Sequence, residues 1–358
     1  MSFRSWVAWP GAPLALASAA LFGASTPLAK ALLGGGVNPW LLAGLLYLGS
    51  GLGLAIITIG RRLMGKPSTE APLGRGDWKW MLLVVLSGGV AGPVLLMLGL
   101  VSTPASSAAL LLNLEGLATM AIAWAVFKEN VDRRLLLGAL AILAGALVLS
   151  WQGSAGGFGI GAFAIAGACL AWGIDNNLTR KVSGSDPMQI AMLKGLVAGI
   201  VNLSLALVMG ARIPDGGMLL SAGVVGLFGY GVSLVLFVLA LRHLGTARTG
   251  AYFSMAPFIG ALLALLMFGE PLTTRLIIAA VLMGIGLWLH LVERHDHAHV
   301  HEPLEHSHAH THDAHHEHEH GPGDPPGEPH VHGHQHRRLV HSHPHYPDLH
   351  HRHGHGAG

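Results

Sequence analysis

Charge is scarce in this chain: 11% of its 358 residues are Asp, Glu, Lys or Arg, while 51% are hydrophobic. That is about half the charge of an ordinary soluble domain, so the chain needs lipid as its solvent. Cysteine is almost missing. The single Cys169, inside an apolar run, excludes a disulfide framework and any Cys-based zinc or iron–sulfur centre. There is no G-x-x-x-x-G-K-[ST] loop to hold a nucleotide, no H-E-x-x-H zinc helix and no G-x-S-x-G nucleophile turn. Nucleotide-driven pumping and intramembrane enzymatic chemistry are therefore not expected. No cofactor is required, and no nucleic-acid partner is expected.

What the chain does have is apolar runs of spanning length, about 20 residues at 1.5 Å rise per residue. They fall at 12–33, 39–60, 78–99, 104–127, 134–151, 160–179, 187–209, 218–240, 249–268 and 272–291. The fold class is all-α integral membrane, with about ten transmembrane helices. The first run has a signal peptide as its alternative, since Arg4 precedes it and Ala17-Ser18-Ala19 resembles a cleavage site. Threading ten spans puts 14 Lys and Arg on one side and only Lys30, Arg212 and Arg275 on the other. Basic residues are retained in the cytoplasm, so a multi-pass protein of a bacterial inner membrane with both termini cytoplasmic is predicted.

The sequence also repeats. A shift of 141 residues lays Phe127, Glu129, Arg134 and Gly145 over Phe268, Glu270, Arg275 and Gly286; a shift of 150 lays Phe22 to Lys30 over Trp172 to Arg180. Apolar agreement is cheap, but agreement of Glu and Arg is not. Two halves, residues 1–152 and 153–293, each hold five spans, an odd number, so the second enters the membrane from the opposite side. Inverted repeats of this kind let a transporter exchange inward-open and outward-open states.

The stretches Leu110 to Gly145 and Tyr252 to Gly286, each an apolar helix, an F-x-E turn and a Gly-ending helix, resemble the EamA-type members of the drug/metabolite transporter superfamily. The resemblance covers nearly the whole body. It implies ten helices, a central cavity between the halves and export of a small organic solute, driven by a proton gradient or by the solute's own gradient. Such motifs mark fold far better than they mark substrate. The chain departs from the family pattern after its tenth run.

Ionisable side chains inside spans are the site candidates, since each costs about 2.5 to 3.5 kcal/mol at a helix centre unless paired or wet. Glu115 lies near the middle of the fourth span, with Asn113 two residues before it, and its repeat counterpart is Ala256. Lys194 lies about two turns inside the seventh span. Asp175 and Asn176 lie about one turn inside the sixth, near Trp172. Glu115 is read either as a proton- or substrate-contacting carboxylate or as a buried ion pair with Lys194. Asp175, nearer the boundary, is expected at headgroups or with Arg180. Pro93 and Pro257 are the preferred kinks.

From residue 294 the composition changes. The body to Glu293 holds 17 Lys and Arg against 10 Asp and Glu, whereas 294–358 holds 4 against 9 and has 23 of the 25 histidines. With almost no apolar residues to offset ordering entropy, 294–358 is expected to be disordered. Its alternate histidines are expected to alternate in face along an extended chain, and a bent chain could gather several around one cation. His295, His297, His299, His301, His306, His308, His310, His312, His315, His316, His318 and His320 are the candidate ligands. Imidazole mixed with carboxylate suits Zn, Ni, Co or Cu.

The function expected is a secondary transporter exporting small metabolites or drug-like solutes, its partners being the small-molecule substrate, the lipid bilayer and divalent transition metals at the tail. The alternative is a Ni, Co or Zn exporter whose tail collects the ion. Against the alternative, the spans hold no internal histidine except His290 and no acid pair at i, i+4.

Overall fold

The structure is a computed structural model. It describes residues 11–66, 72–127, 133–151, 159–179, 181–182, 185–291, 296–301, 304–310, 330–336 and 339–344, with the side chains of 127, 241–248, 250–251 and everything from 291 onwards left aside. Glu129, Arg180 and six of the tail histidines named above, His295, His312, His315, His316, His318 and His320, lie outside the described residues.

The body is a bundle of apolar helices. Helix α1 (Gly11–Gly34) runs straight through Pro27. A turn at Gly36, whose φ of 89° favours glycine, leads to α2 (Pro39–Leu63); Asn38 caps it by accepting from the amides of Trp40 and Leu41 at 2.9 and 3.3 Å. The third run is α3 (Trp78–Val84), a π-helical stretch over Val85–Ala91 and α4 (Gly92–Ser102). The fourth is broken: α5 (Ala105–Leu111) stops at Leu112 and Asn113, and α6 (Leu114–Phe127) continues. Helices α7 (Arg133–Ser150), α8 (Ile160–Thr179) and α9 (Pro187–Val208) follow. Then come α10 (Gly216–Gly226), a second π-helical stretch over Leu227–Val232, and α11 (Ser233–Phe253). Helix α12 (Ala256–Phe268) and α13 (Thr274–Leu291) close the bundle.

Among the described residues, seven helical stretches are long and apolar enough to cross a membrane, and α12 and α13 are apolar but shorter. The expected loop at 241–248 is a correction: α11 continues through it to Phe253, and the break falls at Ser254 and Met255, just before Pro257, which cannot donate to the preceding turn. Pro27 shows the opposite outcome, since a long helix packed on both sides absorbs it.

Helices meet where side chains are smallest. Helix α2 lies on α9, α7 on α13, α1 on α11 and α4 on α8. A Cβ on Gly195 would stand 2.6 Å from the amide nitrogen of Gly51, and one on Gly286 would stand 2.5 Å from the carbonyl of Gly138, so backbones touch directly. The buried core runs through Leu41, Leu42 and Leu46 of α2, Leu96, Met97 and Leu100 of α4, and Leu110 and Leu111 of α5. The outside is as apolar as the inside. Ile56, Leu63, Trp124, Phe163, Leu220 and Trp288 all stand mostly free of protein, a surface that a soluble protein does not carry.

In the tail, the described backbone forms two antiparallel ladders, β1 (Asp296–His301) with β4 (Leu339–Pro344) and β2 (Leu304–His310) with β3 (His330–His336). Strand pairing satisfies backbone groups without an apolar core. The register sets His297 opposite His343 and His308 opposite His332. A strand has a period of two, so positions two apart fall on one face of an extended chain rather than on opposite faces.

Candidate functional site

The polar residues of the body converge where α2, α8 and α9 meet the first π-helical stretch and where α6 packs on α8. The cause lies in Pro93. Within that stretch the amide of Gly92 bonds the carbonyl of Ser87, five residues back, and Pro93 has no N–H to offer. The carbonyls of Gly88 and Gly89 are left for side chains. Tyr47 Oη donates to Gly88 O at 2.7 Å, Trp172 Nε1 donates to the same oxygen at 3.0 Å, and Asn202 Nδ2 donates to Gly89 O at 2.9 Å. A wide turn thus ties α2, α8 and α9 to one point of the third run.

Beside this point lies a buried ion pair. Lys194 Nζ bonds Asp175 Oδ2, with the two residues 9% and 3% exposed, and Thr179 Oγ1 donates to Asp175 Oδ1 at 3.2 Å. Lys194 therefore pairs with Asp175 and not with Glu115, and Asp175 is interior rather than at the headgroups. Gly88 makes room for this, since a Cβ there would overlap the Asp175 carboxylate.

Glu115 is the second residue of α6, two residues past Asn113 at the break, and is half-buried. Its Oε1 accepts from Asn176 Nδ2 at 3.0 Å, and the same amide donates to Thr119 Oγ1 at 3.2 Å. Asn177 Nδ2 donates to the carbonyls of Thr119 and Gly173 at 3.0 and 2.8 Å. Nine residues separate Glu115 from Trp124, half a rotation in an α-helix, so the carboxylate faces away from the exposed indole. Asn176 is exposed on the side of α8 away from the outward-facing Ile174.

Of the residues singled out from sequence, Glu115, Asp175, Asn176, Trp172 and Lys194 are brought together. Asn113 is not: at the helix break its Nδ2 turns to Leu110 O at 2.8 Å and lies 3.7 Å from Met283 Sδ. Sequence reasoning missed Tyr47, Asn202 and Tyr230. The Tyr230 ring lies 5.3 Å from Tyr47 and 6.0 Å from Phe22, and its hydroxyl is buried.

A second polar group lies at the end of the bundle where α1 and α4 stop. Lys30 Nζ donates to the carbonyls of Leu100, Val101 and Thr103, the last at 3.1 Å. Glu270 accepts from the amides of Ala105 and Ser106 at 2.7 and 3.0 Å and from Ser106 Oγ. One side chain caps the C-terminus of α4 and the other the N-terminus of α5, each with the charge its helix end favours. Sequence reasoning used both only as repeat markers and basic-residue counts. A shallow hollow over Leu147, Val148 and Trp151, beside Arg275, lies apart from both groups and offers a solute no carboxylate.

The sequence profile of the EamA-like transporter family matches residues 9–151 and again 159–292. An uncharacterized transporter of Methanothermobacter thermautotrophicus is 29% identical over 232 residues, 63% of this chain and 67% of that one. Protein PecM of Dickeya dadantii is 30% identical over 128 residues, 36% of this chain and 41% of PecM. A solved crystal structure superposes with a TM-score of 0.58 at 19% identity, covering 78% of this chain and 94% of its own, which is a likeness of fold. With two family matches filling its helical body, the chain belongs to the EamA-like transporter family and is a multi-pass membrane protein.

Proposed function

We propose that the chain is a secondary transporter of a bacterial inner membrane, built of ten spans in two inverted five-helix halves with both termini cytoplasmic, that exports a small organic solute past Glu115. The observation that carries this reading is the half-buried carboxylate of Glu115, held by an amide rather than a cation and facing away from the apolar outside. A carboxylate so placed can take and release a proton as the site changes access.

Internal symmetry supports the inverted arrangement. The two π-helical stretches, Val85–Ala91 and Leu227–Val232, and the two helix breaks, at Asn113 and Ser254, recur at the 141-residue spacing of the sequence repeat. Gly138 meets Gly286 while Gly145 meets Ala279, and the same spacing carries each contact into the other, as a two-fold axis between α7 and α13 would. Lys30 and Glu270 clamp the outer corner in this state. By the repeat, Lys30 corresponds to Arg180 and Glu270 to Glu129, which lie outside the described residues.

A transition-metal exporter is less well supported: among the described residues no three His, Cys, Asp or Glu side chains gather to hold an ion. The tail, in this reading, is a multi-site buffer for Zn, Ni, Co or Cu on the cytoplasmic face. The test is Glu115→Gln in proteoliposomes. Loss of gradient-driven movement of a solute, with solute-for-solute exchange retained, is expected; unchanged gradient-driven movement contradicts the coupling role.

A further inference from the structure

Charge and shape also coincide where α7 ends and α13 begins. The hollow there, about 350 Å³, is walled by Leu147, Val148 and Trp151, with Arg275 beside them. Leu147 is 49% exposed and Trp151 43%, so the walls belong to the outside of the bundle, which in a membrane protein meets lipid. Arg275 Nη1 donates to the carbonyl of Trp151 at 2.7 Å, closing the end of α7 with the charge that end favours. That bond uses one of the five N–H groups of the guanidinium. Among the described residues, no second acceptor and no carboxylate meets it.

The hollow also has a direction. The amide of Trp151 donates to Leu147 O at 3.1 Å, so helical spacing reaches Trp151 and puts it about 6 Å along the axis from Leu147. Indoles gather at membrane interfaces; the hollow therefore runs from headgroup level to a leucine one turn deeper in hydrocarbon. Arg275 stands in the first turn of α13, which holds no acid. An anion there would meet both a guanidinium, whose fork matches phosphate, and a helix end that favours negative charge. A cation is repelled by Arg275, and a free phosphate has no use for the apolar walls. A headgroup that carries its own ammonium finds no carboxylate among the lining residues to receive it.

We propose that this hollow binds one anionic glycerophospholipid, its phosphate on the remaining N–H groups of Arg275 and the upper part of one acyl chain along Leu147 and Val148. Bound so, the lipid braces the crossing of α7 and α13 from the bilayer side. The site does not depend on what passes Glu115, so it stands or fails separately from the transporter reading.

The test titrates the full chain, in dodecyl maltoside, with dioleoylphosphatidylglycerol and counts the lipid retained per chain by native mass spectrometry. Dioleoylphosphatidylethanolamine and inorganic phosphate are the comparison probes. The wild-type chain is expected to hold one phosphatidylglycerol about fivefold tighter than phosphatidylethanolamine, the worth of one basic residue at an anionic surface, and inorganic phosphate is expected not to displace it. Arg275→Gln is expected to weaken that binding about tenfold, as loss of a charge-assisted contact does. Leu147→Trp, which fills the hollow and leaves the charge in place, is expected to weaken it as well. Two lipids bound within about twofold of each other by the wild-type chain, or release of the lipid by phosphate, overturns the proposal. So does either variant that keeps wild-type affinity, and the wild-type comparison holds even where a variant fails to fold.

Discussion

Replacing Lys194 with methionine keeps a side chain of similar length and removes the ammonium that faces Asp175. Both partners are buried, at 9% and 3% exposure, so the variant leaves an unpaired carboxylate among Tyr47, Gly88 and Trp172. Breaking a buried pair from one side costs about 3 to 5 kcal/mol, roughly two to four powers of ten in the folding equilibrium at 1.36 kcal/mol per factor of ten. The double change Lys194→Met with Asp175→Asn removes both charges and is expected to recover most of that loss. Glu115→Gln is expected to cost little, because an amide oxygen still accepts from Asn176. Sodium dodecyl sulfate titration in mixed micelles, followed by circular dichroism, measures all three against the wild-type chain. A loss below about 1 kcal/mol for Lys194→Met, or rescue by Glu115→Gln instead of Asp175→Asn, would refute the pairing.

Two further expectations follow from packing and from the tail. Gly286→Leu drives a branched side chain into the Gly138 backbone, where even a Cβ is 2.5 Å from the carbonyl oxygen; overpacking costs about 1 to 3 kcal/mol, read as lower yield and an earlier unfolding midpoint, whereas wild-type stability contradicts the close crossing. The full chain is expected to bind several Zn or Ni ions at pH 7.5 and to release them near pH 5, as imidazoles of pKa about 6.5 protonate; a chain ending at Glu293 that binds as many ions removes the tail from that role.

Hydropathy made most of the helical body legible, because an apolar run of spanning length has few alternatives to a helix in lipid. The runs at 39–60, 134–151, 160–179 and 187–209 lie within a few residues of α2, α7, α8 and α9. The break at Asn113 was not legible, since no proline or glycine adjoins Leu112, Asn113 and Leu114, and the polar Asn113 and Glu115 sit inside a run of spanning length. Nor was the partner of Lys194. Asp175 and Asn176 differ by 100° around α8, and which of them turns to α9 is fixed by how closely Gly173 lets α8 approach Ala118 and Thr119 of α6. Depth along a span orders residues in height, while rotation about the helix axis is a property of packing. Glu270 gave a clearer hint. The start Pro104-Ala105-Ser106-Ser107 opens a helix without an acid of its own, and an acid from another loop supplies the charge that end favours.

The central claim is that Glu115 faces a path opened alternately to the two sides of the membrane, and thiol accessibility at that position tests it most directly. In a chain carrying Glu115→Cys and Cys169→Ala, a membrane-impermeant maleimide is applied to right-side-out and to inside-out vesicles. With the Lys30 and Glu270 caps in place, labelling is expected from the cytoplasmic side and to be slow from outside. Adding Glu270→Gln, which weakens the outer cap, is expected to speed outside labelling and slow inside labelling together. Labelling from neither side, or an outside rate that Glu270→Gln leaves unchanged, contradicts the account.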